Sequence, residues 1–338
     1  MTGIGIVGAG FMGRTWAQVT HKYTEDAHVV AVAGGRRAPA LAADFGCPVE
    51  ESPLALIKRS DVDAVVIATP ASSHLGLIRD AAAHGKHVLV EKPMALSVRD
   101  AVEMESMCRE SGVTLAVVSQ HRFRDSPRAT KKLLGDGALG DVRMIQAFGP
   151  EVGWNLPDSW WSDDPHPPSP YSDWGTHACD VIRWFVQDEP TQAYARFTSF
   201  AVKPPPGQTA MVTYDFRRGA LAHVWMSYDV PVPGLGSALQ FLIVGSKAVL
   251  RLDSYGSVRI ARGGDWELVY EQTPFDPYDP MDEVRLRAYT REMADFLAAS
   301  KEKRHPLVSG QEGVATMQMI EAAERSAASG LPVRIPVS

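Results

Sequence analysis

An aspartate, a histidine and a second aspartate follow one another at Asp173, His177 and Asp180. Residues three and four apart share a stripe of an α-helix, so this spacing predicts that the three side chains lie along one helix edge. The neighbouring stripe, which begins at Trp174, is apolar and should face a core. A histidine beside a carboxylate suits a general base, because the carboxylate orients the ring and stabilises its protonated form. The alternative is a helix with Asp173 as N-cap and a histidine that is merely half-buried.

A second candidate for chemistry is Lys92, in the run Glu91-Lys92-Pro93 directly after the apolar segment 87–90. Ligands of parallel sheets bind outside the carboxyl ends of the strands, so this lysine is predicted to lie at a ligand site. Its ammonium can hydrogen-bond a substrate hydroxyl and stabilise the alkoxide that develops as hydride leaves. The alternative is a surface lysine beside a glutamate that forms a salt bridge.

The segment 4–13 reads IGIVGAGFMG, an apolar strand that runs into G-x-G-x-x-G and then into a helical pattern. Gly8 permits a tight turn, Gly10 lets the backbone approach a pyrophosphate, and Gly13 lets helix and strand pack closely. The N–H groups at the start of the following helix would bind the phosphates. This context predicts a dinucleotide site, and a glycine-rich turn that binds no nucleotide is the alternative.

Cofactor preference depends on the residues after the next strand. A chain that prefers NAD usually has a carboxylate about 20 residues beyond the third glycine, where it binds the ribose 2′-OH. Here the residues are Gly34, Gly35, Arg36 and Arg37. Nothing there repels a 2′-phosphate and two guanidiniums could pair with one, so NADP is favoured over NAD. The alternative is that both arginines are solvated loop charges.

Repeated strand–helix units must position these residues in the first part of the chain. Strands are predicted at 3–8, 28–33, 62–68, 87–90 and 114–119. Helices are predicted at 11–22, 38–45, 53–58, 73–84 and 97–111. The strand cores are apolar throughout, as expected where both faces of a parallel sheet are covered. Residues 1–121 are therefore predicted to form a Rossmann domain, a doubly wound parallel sheet of the α/β class.

Alternating strands dominate residues 122–338. They are predicted at 141–148, 191–202, 209–216, 219–228, 238–244, 247–253, 256–261, 266–271 and 333–337. Helices are predicted at 126–135, 174–187, 282–301 and 310–328. This is an α+β domain with a large, mostly antiparallel open sheet. Its strands carry apolar residues that could join subunits into a homodimer or homotetramer, namely Val224, Met226, Phe241, Ile243 and Val244.

Composition excludes several classes of protein. A chain of 338 residues with 45% hydrophobic residues can bury two globular cores, and a net charge of −6 argues against a nucleic-acid partner. No apolar run reaches the length of a membrane span, and the first strand leaves no room for a signal peptide. The cysteines, Cys47, Cys108 and Cys179, fit a reducing cytoplasm. Cys179 lies near His177 without the spacing of a metal site, so no metal is predicted.

Residues 149–175 are rich in tryptophan and proline, with tryptophans at Trp154, Trp160, Trp161 and Trp174. Such a segment is either a rigid surface loop anchored by buried aromatic rings or a lid whose rings stack on a sugar. Long loops in compact domains are often functional, so Trp154 is a candidate substrate contact.

These motifs together resemble the Gfo/Idh/MocA family of oxidoreductases, which includes glucose–fructose oxidoreductase and inositol dehydrogenase. The resemblance rests on GAGFMG (8–13), ATPASSH (68–74), GKHVLVEKP (85–93) and D-x-x-x-H-x-x-D (173–180). Their order and spacing cover nearly the whole chain. The resemblance implies hydride transfer between a nicotinamide cofactor, NAD(P)(H), and a secondary hydroxyl of a sugar or cyclic polyol such as an inositol.

The resemblance and the residue-level reasoning above together assign expected roles to individual residues. Lys92, Asp173 and His177 match the catalytic set of the family. The expected cofactor-binding residues are Gly8, Gly10, Phe11, Met12, Gly13, Arg36, Arg37, Thr69, Pro70, His74, Glu91, Lys92 and Gln120. The expected substrate-binding residues are Lys92, His121, Arg122, Trp154, Asp173, His177 and Asp180.

In the implied mechanism the hydroxyl lies between Lys92 and His177. His177 removes its proton, Asp173 holds the imidazole, and hydride passes to C4 of the nicotinamide without a metal. Two other functions are open at this stage. One is an NAD-dependent glycosidase that oxidises its sugar transiently, eliminates the aglycone and reduces the product. The other is a non-catalytic sensor of sugar or dinucleotide.

Overall fold

A computed structural model describes residues 1–152, 171–200, 208–231, 234 and 236–336. Its strands are β1 (Thr2–Val7), β2 (Ala27–Ala33), β3 (Val49–Glu50), β4 (Ala64–Ile67), β5 (His87–Val90), β6 (Leu115–Val117), β7 (Val142–Val152), β8 (Pro190–Thr198), β9 (Thr209–Phe216), β10 (Leu221–Val230), β11 (Gln240–Gly245), β12 (Val249–Asp253), β13 (Ser257–Ala261), β14 (Glu267–Glu271) and β15 (Val333–Arg334). Its α-helices are α1 (Phe11–Tyr23), α2 (Ala38–Asp44), α3 (Pro53–Ile57), α4 (His74–Ala83), α5 (Val98–Glu110), α6 (Asp125–Gly135), α7 (Thr176–Val186), α8 (Glu283–Glu302) and α9 (Gly310–Ser329). No helix of the described ranges is both long and apolar enough to cross a bilayer.

The chain divides into two compact units. The first comprises Met1–Phe123 and Phe275–Met317, and the second comprises Arg124–Pro274 and Gln318–Ser338. The sequence predicted a single division at residue 122. Phe275–Met317, which the sequence assigned to the second domain, instead belongs to the first unit.

The first unit is built on a six-stranded parallel sheet with the order β3-β2-β1-β4-β5-β6. Its strands are apolar along their length because each face has its own core. On β1, Ile4 and Ile6 contribute to one core, whereas Val7 contributes to the other. The predicted doubly wound Rossmann sheet is confirmed.

Helix α8 completes one of these two cores. Its Leu286, Met293 and Phe296 are buried together with residues of α1. The rings of Tyr289 and Trp16 meet edge to face at 5.3 Å between centroids. This apolar face explains why Phe275–Met317 belongs with the first unit.

The second unit is built on a nine-stranded sheet with the order β14-β13-β12-β11-β7-β10-β9-β8-β15. Only β7 and β10 pair in parallel, and the other neighbours are antiparallel, so the predicted, mostly antiparallel sheet is confirmed. Helices α7 and α9 cover one face, through residues such as Phe185 and Ile320.

The open face of this sheet is not formed by the apolar residues that the sequence suggested. Four of them are fully buried in the core under the helices, namely Val224, Met226, Phe241 and Ile243. Side chains alternate between the faces of a strand, and the exposed apolar residues have the other phase. Met144, Met211 and Leu221 are 51–54% exposed, and pairing between β7, β9 and β10 places them on the open face.

Candidate functional site

The candidate cofactor residues of the first unit meet at one edge of the parallel sheet. Strands β1, β4, β5 and β6 are neighbours and point the same way, so the residues after their carboxyl ends lie side by side. Backbone hydrogen bonds continue past the strands, from Glu91 N to Ile67 O at 2.9 Å and from Val118 N to Val90 O at 2.9 Å. Ligands of such sheets bind along this edge.

The glycine-rich turn after β1 has the geometry that a pyrophosphate requires. Gly8 has φ of +103°, and a Cβ there would lie 2.3 Å from Ala68 O. A Cβ on Gly13 would lie 1.8 Å from Gly8 O, so only glycine lets α1 pack this closely on the turn. In front of Gly10 there is open space, and the nearest atom to a Cβ would be Arg37 Nη2 at 3.9 Å. The N-cap of α1 is Gly10, which has no side chain to accept from the first N–H groups, so these groups can bind an anion.

A cavity of about 330 Å³ lies beside this turn, lined by Ala9, Gly10, Gly35, Arg36 and Arg37. Both arginines are exposed, and the lining contains no carboxylate. Gly34 and Gly35 have φ of +82° and +83°, which explains the paired glycines after β2.

The loop after β4 is held by His74. This side chain is fully buried, with Nε2 2.9 Å from Thr69 O and Nδ1 3.1 Å from Met94 O. Burial lowers the pKa of His74, and the two carbonyl acceptors oppose that shift. Thr69 Oγ1 lies 2.7 Å from Ser73 Oγ, whereas Pro70 is exposed. The ring of His74 therefore joins two loops of the cofactor edge, which favours positioning over direct contact with a cofactor.

Glu91 lies inside the protein, next to the half-buried Lys92. It is 6% exposed, and its Oε1 accepts a hydrogen bond of 2.8 Å from Trp16 Nε1. Burial raises the pKa of the Glu91 carboxyl, while the Trp16 bond and the charge of Lys92 act against the rise. The alternative of a surface salt bridge at this motif is therefore wrong. Glu91 fixes the end of β5 to α1, and Lys92 follows directly.

The segment Gln120–Phe123 forms a short 3₁₀ turn after β6, and all four side chains are buried. Arg122 is 2% exposed and forms an ion pair of 2.5 Å with Glu312. This pairing favours a structural role for Arg122 over the predicted substrate contact. Gln120 and His121 are 8% and 0% exposed.

In the second unit, a π-helical turn at Tyr171–Gly175 leads into α7. The sequence predicted one continuous helix from residue 174. A Cβ on Gly175 would lie 2.8 Å from the Tyr171 ring, so the turn needs glycine here. His177, in the first turn of α7, is 3% exposed. Single π-helical turns occur frequently at functional sites.

The carboxylate of Asp173 lies on this turn and accepts a hydrogen bond of 3.2 Å from Tyr228 Oη. The residue before α7 is Gly175, so the alternative that Asp173 caps the helix is wrong. The rings of Trp174 and His177 meet edge to face at 5.6 Å. Asp180, one turn further on, is 4% exposed. Sequence reasoning missed Tyr228, because nothing but strand alternation marks this residue on β10.

Cys179 lies among tyrosines in the core. Its Sγ is 3.4 Å from Tyr171 Oη and 3.6 Å from Tyr214 Oη, and Tyr214 donates to Met319 O at 3.0 Å. Burial raises the pKa of the Cys179 thiol to about 11. Across the described part of the chain, no group of three or more histidines, cysteines and carboxylates could hold a metal. Trp154, Trp160 and Trp161 lie outside the described residues.

Both parts of the chain match models of one protein family. Residues 2–119 match GFO_IDH_MocA, described as the oxidoreductase family with an NAD-binding Rossmann fold, and residues 128–251 match the GFO/IDH/MocA C-terminal domain. The chain belongs to the Gfo/Idh/MocA family. The resemblance seen in the sequence motifs is thereby confirmed.

Relatives of this family member differ in what their names describe. It is 26% identical to an inositol 2-dehydrogenase of Rhizobium meliloti, over 98% of each chain. It is 38% identical to a 2,7-anhydro-N-acetylneuraminate hydratase of Mediterraneibacter gnavus, over 45% of this chain and only 40% of the hydratase. The fold matches a crystal structure of an oxidoreductase from Agrobacterium radiobacter in complex with NAD+, L-tartaric acid and magnesium, with a TM-score of 0.87, 22% identity and coverage of 99% and 98%.

Proposed function

We propose that this protein is an NAD(P)-dependent dehydrogenase that oxidises a secondary hydroxyl of a sugar or cyclic polyol. The similarity to an inositol 2-dehydrogenase over 98% of both chains supports the substrate class. The observation that carries the reaction type is the start of α7, where His177 is buried four residues after an aspartate whose carboxylate accepts a hydrogen bond from Tyr228. A buried imidazole near a fixed carboxylate suits proton transfer.

Each proposed catalytic residue has a chemical role. His177 removes the hydroxyl proton, and in the reverse direction it returns that proton. Asp173 stabilises the imidazolium that forms, and Tyr228 holds the Asp173 carboxylate in place. Lys92 donates a hydrogen bond to the reacting oxygen and stabilises its negative charge. Asp180 would bind a neighbouring substrate hydroxyl, as would His121 and Trp154 in the expectation from sequence.

The edge of the parallel sheet fits a dinucleotide cofactor, because Gly10 leaves space in front of uncapped helical N–H groups. When bound, the nicotinamide supplies the hydride acceptor. Gly8, Gly10 and Gly13 would let the pyrophosphate approach, with Phe11 and Met12 between them. Thr69, Pro70 and Gln120 would line the same edge.

Within this proposal NADP is the preferred cofactor. Arg36 and Arg37 line the cavity next to Gly10, and no carboxylate lines it. An adenosine ribose in this cavity would meet two guanidiniums that can bind a 2′-phosphate.

The open face of the nine-stranded sheet is proposed to bind a second copy of the chain. Met144, Met211 and Leu221 lie on it, and each is at least half exposed. A dimer or tetramer would remove this apolar area from water.

A substrate panel tests the proposed reaction. Sugars, inositols and glycosides would each be mixed with NAD or NADP, while the absorbance of reduced nicotinamide is followed. A dehydrogenase produces one equivalent of reduced cofactor for each ketone formed. A panel in which no polyol or sugar reduces either cofactor would count against this assignment.

A second candidate is a reaction without net oxidation, such as hydration or glycoside cleavage through a transiently oxidised sugar. The 38% identity to a hydratase favours it, although the match covers less than half of either chain. Such an enzyme would release product without accumulating reduced cofactor. Chromatographic detection of product in the same panel distinguishes the two reactions.

A further inference from the structure

Arg285 of α8 is a buried cation on the cofactor side of the first unit. The residue is 1% exposed, and its guanidinium lies over the rings of Phe11 and Tyr289, at 4.6 Å and 4.8 Å from their centroids. Its Nη2 donates to Thr15 Oγ1 at 3.1 Å and its Nε donates to Pro277 O at 3.0 Å. Phe11 begins α1, and Thr15 lies one turn further along it. The guanidinium is thus packed against the turn that follows the glycine-rich motif.

No carboxylate of the described ranges forms an ion pair with this guanidinium, and its buried Nη1 has no hydrogen-bond partner there. The charge of Arg285 acts to lower the pKa values of Glu91 and Asp282, but both carboxyls have other hydrogen-bond partners. Glu91 accepts from Trp16, and Asp282 accepts from the backbone N–H groups that open α8. Arg285 is therefore a buried charge whose partners at hydrogen-bond distance are all neutral.

The N-terminus of α1 does not stabilise this charge. The N-terminus of a helix carries partial positive charge, and a cation beside it is repelled. Burial makes the repulsion stronger, because little water screens it. An anion at the start of α1 would interact favourably with both the helix and the guanidinium.

We propose that the buried guanidinium of Arg285 supports the N-terminus of α1 electrostatically in holding the pyrophosphate of the dinucleotide. The inference rests on the dinucleotide cofactor of the proposed function. It adds an electrostatic contribution from a helix that lies more than 250 positions beyond the glycine motif in the sequence. The ring of Phe11, which is 42% exposed, covers the guanidinium, so Arg285 acts through its field and through the position of Phe11.

Two ligands distinguish an effect of the Arg285 charge on binding from an effect on the shape of the site. ADP-ribose carries the pyrophosphate, and adenosine lacks it. Calorimetric titration of Arg285→Met should show ADP-ribose binding weakened about tenfold or more, with adenosine binding unchanged. Arg285→Lys keeps the charge but loses the planar group stacked on Phe11 and Tyr289, so its affinity for ADP-ribose should lie between those of Arg285→Met and wild type. Arg287→Met is the matched control, since Arg287 is exposed on the same helix and the same charge is removed.

Several results would overturn the proposal. Normal binding of ADP-ribose by Arg285→Met would show that the charge does not contribute to pyrophosphate binding. An equal loss of affinity for ADP-ribose and adenosine would show that Arg285 only maintains the shape of the site. If Arg285→Met does not fold, Arg285→Gln takes its place, because it is neutral and can still donate to Pro277 O. A wild-type protein that binds neither ligand would refute the cofactor assignment together with this inference. If wild type binds ADP-ribose and the Arg285 variants bind it equally well, only the role of Arg285 is refuted.

Discussion

Replacing Tyr228 by phenylalanine tests whether the carboxylate of Asp173 is held for catalysis. The substitution removes one hydroxyl from a residue that is 3% exposed and leaves the packing of β10 intact. A hydrogen bond to a charged group contributes about 1.5–3 kcal/mol. The bond is 3.2 Å long, beyond the usual length of an O–H···O bond, so the lower figure applies. A loss of about 1.4 kcal/mol corresponds to a tenfold fall in kcat.

The assay compares kcat, the KM of the substrate and the Kd of the cofactor for wild type and Tyr228→Phe. We expect kcat to fall about tenfold and cofactor binding to stay unchanged, because the lost hydroxyl holds Asp173 and is assigned no contact with the cofactor. Tyr23→Phe is the matched control, since it breaks a tyrosine–carboxylate bond of 3.3 Å to Glu283 at the surface. Unchanged kcat in Tyr228→Phe would refute the positioning role, and a raised KM with normal kcat would make Tyr228 a substrate contact.

Four further predictions follow from the proposed site and assembly. His177→Ala should lower kcat by about 100-fold or more, as expected for loss of a general base, while a cofactor titration shows nearly normal Kd. Replacing Arg36 and Arg37 by alanine should reduce the binding free energy of NADP by about 1–3 kcal/mol more than that of NAD, as measured by equilibrium titration. Glu91→Gln should become more stable than wild type as pH rises, because burial raises the pKa of Glu91 in the folded protein. The protonated Glu91 carboxyl contributes fully to wild-type stability below its unfolded pKa of about 4.3, and this contribution is lost as pH rises through the folded pKa. Met211→Asp should give a smaller species by light scattering, because a charge on the open sheet face opposes association.

Controls for these variants come from exposed positions on α5. Arg99→Ala removes a surface guanidinium and should leave the NADP-to-NAD ratio unchanged. Val102→Asp places a charge on a residue that is 45% exposed and should leave the molecular mass unchanged. If removing Arg36 and Arg37 weakens the binding of NADP and NAD equally, the two arginines are only solvated loop charges. A flat difference in melting temperature between wild type and Glu91→Gln across pH would contradict the burial argument.

Gly34→Asp is a poor test of cofactor preference, although the sequence suggests it. The φ of +82° at Gly34 is a conformation that side-chain-bearing residues rarely adopt. An aspartate there would strain the turn and weaken both cofactors for reasons unrelated to the ribose. Substitution of the arginines avoids this strain.

The first sheet could be predicted from sequence because its evidence is local. Apolar runs bounded by turns predicted five strands close to where they lie, and G-x-G-x-x-G predicted the turn after β1. The place of α8 could not be predicted in this way. Its apolar stripe shows that one side is buried, but the identity of its partner, including Trp16, depends on contacts between distant parts of the chain.

Alternation along the strands of the second sheet predicted two faces, without showing which one the helices cover. Both faces carry apolar residues, such as Val224 on one and Met211 on the other, and the choice depends on where α7 and α9 pack. The π-helical turn was missed because a 3.6-residue period fits the sequence on both sides of Gly175. The roles of Lys92, Asp173 and His177 stay predictions until the variants are measured.

The contribution of α8 to the first unit has a consequence for how the protein is made. Synthesis proceeds from the N-terminus, so about 190 residues must be added after Phe123 before Met317 leaves the ribosome. At about 5–20 residues per second this takes on the order of 10 to 40 seconds. During that time Trp16 and its neighbours have no α8 to pack against, so apolar surface of the nascent sheet stays accessible to chaperones. A chain that stops before α8 is made would keep that face uncovered and should be degraded as an unfinished protein.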